Sequence, residues 1–211
     1  MKLLFLHGWG FDASFWKPVI ALLPGHACVA DDRGYFGAPA TPAVRGPVLV
    51  VAHSFGAMRA LAGAAQECVG LVAINGFARF TDPGDGSGIA PRVLDRMIAR
   101  FSGDPGAVLA DFRERCGAAM PLLPLVPDAL REDLEVLRRG DCRANAASAR
   151  FPILSLQGQS DPLLPGPMRE QAFASARRLE RDMRPGGGHL LALSDPEWCA
   201  GHIAAFAEQL A

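Results

Sequence analysis

The chain has 211 residues, a formal charge of −1 at pH 7, 50% apolar and 20% charged residues. That length suits one domain burying about 70% of its unfolded surface, and the near-neutral balance excludes a global field for nucleic acid or an anionic membrane. Five scattered cysteines (28, 68, 116, 142, 199) have neither zinc spacing nor a paired framework, and the odd number favours reduced thiols and a cytoplasmic location. In chain order, the first predicted strand covers 2–6. Its apolar run, Leu3-Leu4-Phe5-Leu6, stops at His7, too short for an export segment, and no run reaches the roughly 18 apolar residues of a membrane span. The turn His7-Gly8-Trp9-Gly10 follows. An apolar strand entering a His-Gly-x-Gly turn can supply half of an oxyanion hole, with the N–H of Trp9 pointing inward and His7 bracing the turn. A helix over 13–23 and a strand over 27–31 come next, with His26 in the intervening loop and Asp31 and Asp32 at the strand end.

A strand over 47–52 runs into Ala52-His53-Ser54-Phe55-Gly56, and a small-residue helix over 55–66 follows. Strand, tight turn with a Ser, then helix is the context of a nucleophile elbow. The usual first glycine of that pattern is Ala52 here. Ser54 would project at the helix start, where the N–H of Phe55 can stabilise an oxyanion. A strand over 69–74 ends at Asn75, which cannot supply a carboxylate. The interval 77–150 then breaks the alternation of strand and helix. It opens with a Gly/Asp/Ser-rich loop, Thr81 to Gly88, and continues with helices over 90–101, 104–116 and 128–139. Such an insertion between two sheet strands reads as a cap over 77–150, with 1–76 and 151–211 as the core of one domain. Its 11 Arg and 11 Asp or Glu cancel, and solvated helix faces account for most of them. Arg92, Arg96 and Arg100 nevertheless recur every four residues, which places them on one helix face.

The last strands cover 151–157 and 178–184, with helices over 167–176 and 195–209. Asp161 follows the first of these strands in Gly158-Gln159-Ser160-Asp161-Pro162. His189 follows the second in Gly186-Gly187-Gly188-His189. Ser, Asp and His thus lie past strand ends in that chain order, and ligands of parallel sheets bind at those ends. A Ser hydroxyl needs a base, and a Gly-rich loop can bring the His189 imidazole over Ser54. Asp161 would accept from the far nitrogen of that ring, although an Asp before Pro also serves as a plain turn residue. His53 neighbours Ser54 on the strand and is expected to pack beneath the elbow. His202, among Trp198, Cys199, Ile203 and Phe206, is expected to be structural. No P-loop, dinucleotide fingerprint or metal-ligand cluster is present, so no cofactor or metal is expected.

With Leu-Phe-Leu-His-Gly-Trp-Gly, His-Ser-Phe-Gly, Ser-Asp-Pro-Leu-Leu-Pro and Gly-Gly-His in hand, the chain resembles an α/β-hydrolase nearly end to end. More narrowly it is similar to the biotin-pathway esterases that demethylate pimeloyl-carrier-protein methyl ester. The carriers of that likeness are His7-Gly8-Trp9-Gly10 with Phe15-Trp16, the His53-Ser54-Phe55-Gly56 turn and the helix bearing Phe112. The Ile74-Asn75-Gly76 turn followed by Gly88-Ile89 is similar to a shorter branch with the same role. The resemblance implies an α/β fold with a reduced, mostly parallel six-stranded sheet and a helical cap, because Leu3 already stands in the strand that an antiparallel hairpin usually precedes. It implies a catalytic Ser54, Asp161 and His189, an oxyanion hole at Trp9 and Phe55, and a substrate site at Trp9, Phe112, Arg113, Cys116 and His189. Together with their four-residue spacing, it implies that the stripe of Arg92, Arg96 and Arg100 docks an acidic carrier protein; a monomer is expected. The other readings of the residues are a broader short-chain carboxylesterase or thioesterase, and a non-catalytic binding protein of the same fold.

Overall fold

A computed structural model describes residues 1–64, 67–82, 84–121 and 123–210. Six strands form one sheet: β1 (Lys2–Leu6), β2 (Ala27–Ala30), β3 (Val48–His53), β4 (Cys68–Ile74), β5 (Ile153–Gly158) and β6 (Leu179–Arg184). Their order is β2-β1-β3-β4-β5-β6, and every pair is parallel. The chain therefore goes from β1 outward to β2, then returns to lay β3 on the other side of β1. That reversal opens a crevice past the carboxyl ends of β1 and β3. Leu6 stands opposite Ala52 in this register, so the His7–Gly10 turn and Ser54 emerge side by side.

The helices are α1 (Lys17–Ala21), α2 (Phe55–Arg59), α3 (Pro91–Phe101), α4 (Pro105–Cys116), α5 (Pro127–Arg139), α6 (Arg143–Ser148), α7 (Gly166–Gln171), α8 (Leu191–Ser194) and α9 (Pro196–Gln209). A 3₁₀ turn, Ala13–Trp16, leads into α1. Proline opens α3, α4, α5 and α9, where its missing N–H removes a donor that would have no partner within the helix. Asp104 and Asp195 cap α4 and α9 by accepting from Ala107 N and Trp198 N.

Alternation along the strands sends side chains to two cores. Leu3, Phe5, Leu49, Val51, Val72 and Leu156 meet α1, α8 and α9 on one face. Leu4, Leu6, Val50, Ala52, Leu71 and Ile153 meet α2 and α6 on the other. A third cluster belongs to the insertion: Leu94, Phe101, Leu109, Leu130, Leu134 and Leu137 pack with Trp9, Tyr35 and Phe55. The inserted helices thus rest on the residues that flank Ser54.

Several expected elements are shorter than the sequence suggested. The helix expected over 13–23 is the 3₁₀ turn plus five residues of α1. The one expected over 55–66 is α2 followed by π-type winding over Ala60–Ala64, where Gly63 at φ 98° breaks the regular turn; residues 65 and 66 lie outside the described residues. The stretch 167–176 is helical only to Gln171, and Phe173 takes a left-handed φ of 57°. The short helices α6 and α8 had no periodic signature, because six and four residues are less than two turns.

Candidate active site

Ser54 adopts φ 53° and ψ −122°, a backbone region that L-residues other than glycine rarely occupy. The strand-to-helix reversal imposes it: Ser54 N donates to Ile74 O at 3.0 Å, and Ala57 N already donates to Ser54 O at 3.0 Å. The turn tolerates no bulk beside it. A Cβ at Gly56 would collide with the Leu6 carbonyl, and one at Gly8 would lie 2.8 Å from His53 Nδ1. Ala52, where the pattern has its first glycine, fits because its methyl packs in the sheet core. Among the described residues no acceptor takes the N–H of Trp9 or of Phe55.

His189 Nδ1 lies 2.7 Å from Asp161 Oδ2, and both side chains are buried. The other carboxylate oxygen, Oδ1, accepts from Leu163 N at 2.7 Å and Leu164 N at 3.1 Å. Asp161 is therefore more than a turn residue: the turn itself supplies two donors that orient its carboxylate toward the ring. With Nδ1 directed at Asp161, Nε2 is the ring nitrogen left to take a further partner. Nε2 is buried and has no hydrogen-bond partner among the described residues, so Ser54 does not donate to it here.

The other histidines take supporting places. His7 Nδ1 donates to Gly8 O at 2.8 Å while its Nε2 accepts from Arg33 N at 3.0 Å, which braces the Gly8–Trp9 peptide. His53 Nε2 donates to His189 O at 3.0 Å, and its ring stacks on Phe15. Burial holds the pKa of His7 below the ordinary range. Burial, and then the nearby His189, hold that of His53 well below it, so both rings are neutral. His202 is half-buried on Trp198 and bonds Asp182 at 2.7 Å. Asp31 pairs with Arg59 at 2.6 Å, while Asp32 accepts from Ala13 N and Gly34 N.

The residues expected to meet substrate are only partly accessible. The Trp9 indole is buried, donates from Nε1 to Leu130 O at 2.8 Å, and meets Phe112 edge-on at 4.8 Å. Arg113 is engaged with backbone: Nη1 bonds Gly10 O, Nε bonds Ala119 O, and the guanidinium lies over Phe11. It braces the turn after β1, where the resemblance had implied a contact with substrate. Cys116 is buried, and burial together with the Asp161 carboxylate pushes its thiol up to about 12. With His189 it borders a cleft of about 640 Å³. Arg92, Arg96 and Arg100 are exposed on α3. Arg96 and Arg100 join Arg115 at the rim of a groove of about 250 Å³ floored by Val93, Met97, Val108 and Phe112, while Arg92 lies outside it. Arg100 is already paired with Asp111 at 2.7 Å.

Sequence reasoning missed the link between insertion and core. Asp133, buried on α5, accepts from Arg33 Nε and Nη2 at 2.7 and 2.8 Å and from the Tyr35 hydroxyl at 2.5 Å. Its signal was available: Asp133 follows Leu130 by three residues and so falls on the apolar face of that helix. Among the described residues no group of three His, Cys, Asp or Glu side chains is placed to hold a metal ion, no cysteine is paired, and no helix is long and apolar enough to cross a membrane.

Comparison with known proteins places the chain in a family. The model of a family described as "Alpha/beta hydrolase family" matches residues 3–202. A pimeloyl-[acyl-carrier protein] methyl ester esterase of Yersinia enterocolitica is 28% identical, with 98% of this chain and 93% of that protein covered. A biotin biosynthesis bifunctional protein, BioHC, of Cellvibrio japonicus is also 28% identical over 99% of this chain, which spans only 48% of that protein's length. Among solved structures, an esterase from Exiguobacterium antarcticum superposes with a TM-score of 0.84 at 16% identity, covering 99% of this chain and 92% of that one. A bromoperoxidase from Bacillus anthracis gives 0.83 at 15%, covering 98% and 91%. By that match over nearly its whole length, this chain belongs to the alpha/beta hydrolase family.

Proposed function

We propose that the protein is a serine esterase in which Ser54 is the nucleophile, His189 the general base and Asp161 the residue that orients it. The observation that carries this reading is the buried 2.7 Å pair of His189 Nδ1 and Asp161 Oδ2, with Nε2 left unpartnered and the His189 carbonyl bonded by His53, the residue next to the strained Ser54. Ser54 Oγ attacks the ester carbonyl carbon as its proton passes to His189 Nε2. The N–H groups of Trp9 and Phe55 hold the tetrahedral oxyanion. The intermediate collapses, the C–O bond to the alcohol breaks, and His189 returns the proton to the departing oxygen. Water, deprotonated by the same Nε2, then hydrolyses the acyl-enzyme and restores Ser54. The sequence is closed in protons and electrons without a cofactor or metal.

The substrate assignment is pimeloyl-[acyl-carrier protein] methyl ester, cleaved to pimeloyl-carrier protein and methanol in biotin biosynthesis. Relatives whose names carry that activity cover nearly the whole chain and support it. In this reading the cap within 77–150 is α3, α4 and α5, with α6 packed on the sheet instead, Trp9, Phe112, Cys116 and His189 border the acyl path, and the enzyme works as a cytoplasmic monomer. The Arg92, Arg96 and Arg100 face of α3 receives the acidic carrier, with Arg96 and Arg100 at the groove that leads to Phe112. A fluorophosphonate probe tests the chemistry: it should label Ser54 in the native protein and leave Ser54→Ala unlabelled. Rates on a carrier-protein methyl ester beside a nitrophenyl ester test the substrate. Equal or greater preference for the small ester would make the protein a broad carboxylesterase, and absence of labelling would make it a non-catalytic member of the fold.

A further inference from the structure

The loop that carries His189 packs closely at Gly187, where a Cβ would meet Leu191, and has open space at Gly186 and Gly188. It consists of three glycines, one of them at φ 70°, and glycine leaves a backbone conformationally free. A base placed on such a loop needs an outside anchor, and a side chain from a different strand provides it. Asn75, fully buried one residue past β4, donates from Nδ2 to Gly188 O at 2.8 Å and to His189 O at 2.7 Å. Its Oδ1 accepts from Gly158 N at 2.7 Å. Two carbonyls and one N–H around the amide allow only one orientation of it.

Gly158 closes β5 and opens the turn to Asp161. Asp161 N donates to Gly158 O, and Ser160 N donates to Gly187 O at 2.8 Å. One amide therefore ties the turn of the acid to the loop of the base. The His189 carbonyl takes a second donor, His53 Nε2, from the residue next to Ser54. We propose that Asn75 is a positioning residue for the catalytic base: it sets the His189 ring against Asp161 by holding the backbone that carries the ring. The proposal rests on the serine-esterase reading. Only an amide of this length serves. A carboxylate there would face two carbonyl oxygens with no donor, and a glutamine would need space for a methylene where Asn75 is fully buried. The left-handed φ of 46° at this position is one that asparagine tolerates better than most residues.

The test is Asn75→Gly, which keeps the left-handed backbone at no steric cost and removes the buried side chain with its three hydrogen bonds. Three readouts are taken: thermal unfolding, the rate of Ser54 labelling by a fluorophosphonate together with nitrophenyl ester kinetics, and the downfield proton resonance of His189 Nδ1–H, assigned by its loss in His189→Gln. The expected result is cooperative unfolding, a fall of about 10- to 100-fold in labelling rate and kcat with KM nearly unchanged, and a broadened or lost downfield resonance. Unchanged labelling with the resonance intact overturns the proposal. So does slowed labelling with the resonance intact, because Asn75 would then act by another route. Failure of the wild-type protein to label at Ser54 overturns the esterase reading instead, and the resonance still decides whether Asn75 holds the His189 ring. If Asn75→Gly does not unfold cooperatively, Asn75→Asp keeps the size and the acceptor toward Gly158 but not the donors, and the same readouts apply.

Discussion

The backbone at Ser54 stores free energy that a single substitution can release. At φ 53° and ψ −122° a residue with a Cβ is strained by about 1–3 kcal/mol. Ser54→Ala removes the hydroxyl and keeps the Cβ, so it keeps the strain. Ser54→Gly removes both. Against a strain of about 2 kcal/mol, glycine costs about 0.7 kcal/mol in unfolded-chain entropy. Loss of one buried carbon costs about another 0.8 kcal/mol. Ser54→Gly should therefore be about 0.5 kcal/mol more stable than Ser54→Ala, which for a chain of this size raises the melting temperature by about 1–2 °C. Both variants should be inactive. The assay is urea unfolding at constant slope, alongside thermal melts. Ala57→Gly serves as control, because Ala57 lies in the ordinary helical turn of α2 and the change there should destabilise by about 1 kcal/mol. If Ser54→Gly is no more stable than Ser54→Ala, the turn is not strained and the physical argument for an elbow at this position fails.

Asp161→Asn should keep the turn and its two backbone donors yet lower kcat by about 10³–10⁴-fold, since an amide cannot hold the same tautomer of His189; nitrophenyl ester turnover at neutral pH reads this, and a loss under tenfold would refute it. Arg92→Glu with Arg96→Glu should raise KM for a carrier-bound ester, leave a small uncharged ester untouched, and reduce the salt sensitivity of the carrier reaction, because exposed charges act mainly on encounter; equal slowing of both substrates would make the stripe a structural face of the cap. His7 and His53 have lowered pKa values in the folded protein, so below about pH 6.5 the unfolded chain takes up protons that the folded one refuses. Stability should then decline as pH falls from about 6.5, by at most about 1.4 kcal/mol per pH unit for each ring, and His53→Gln should flatten the slope measured by urea midpoints between pH 7.5 and 5. A slope unchanged by that variant would assign the decline to other groups.

Much of the fold and site was legible in the sequence because it depends on local order along the chain. Short apolar runs such as Val48–Val51 declare buried strands, and their alternation with helices declares a parallel sheet. Ser54, Asp161 and His189 each lie within a few residues past a strand end, so strand ends alone put them at one edge of the sheet. Small residues around Ser54 were equally readable, since the collisions that forbid a Cβ at Gly56 arise within one strand–turn–helix unit and its neighbour β1.

What only the tertiary structure decided is which polar atoms meet across large separations in sequence. Asn75 looked like a failed acid at a rival strand end; its amide joins Gly158 to His189, a relation set by the register of β4, β5 and β6 and not by any periodicity. Arg113 read as a solvated or substrate-facing cation, and the packing of α4 directs it to the Gly10 carbonyl. Asp133, one acid among 11 in the insertion, is the one that meets Arg33 and Tyr35. Apolar patterning is periodic along a single element and can be read there. A buried polar group is satisfied by whatever donor or acceptor the folded chain brings within 3 Å, and a linear sequence carries no such distance.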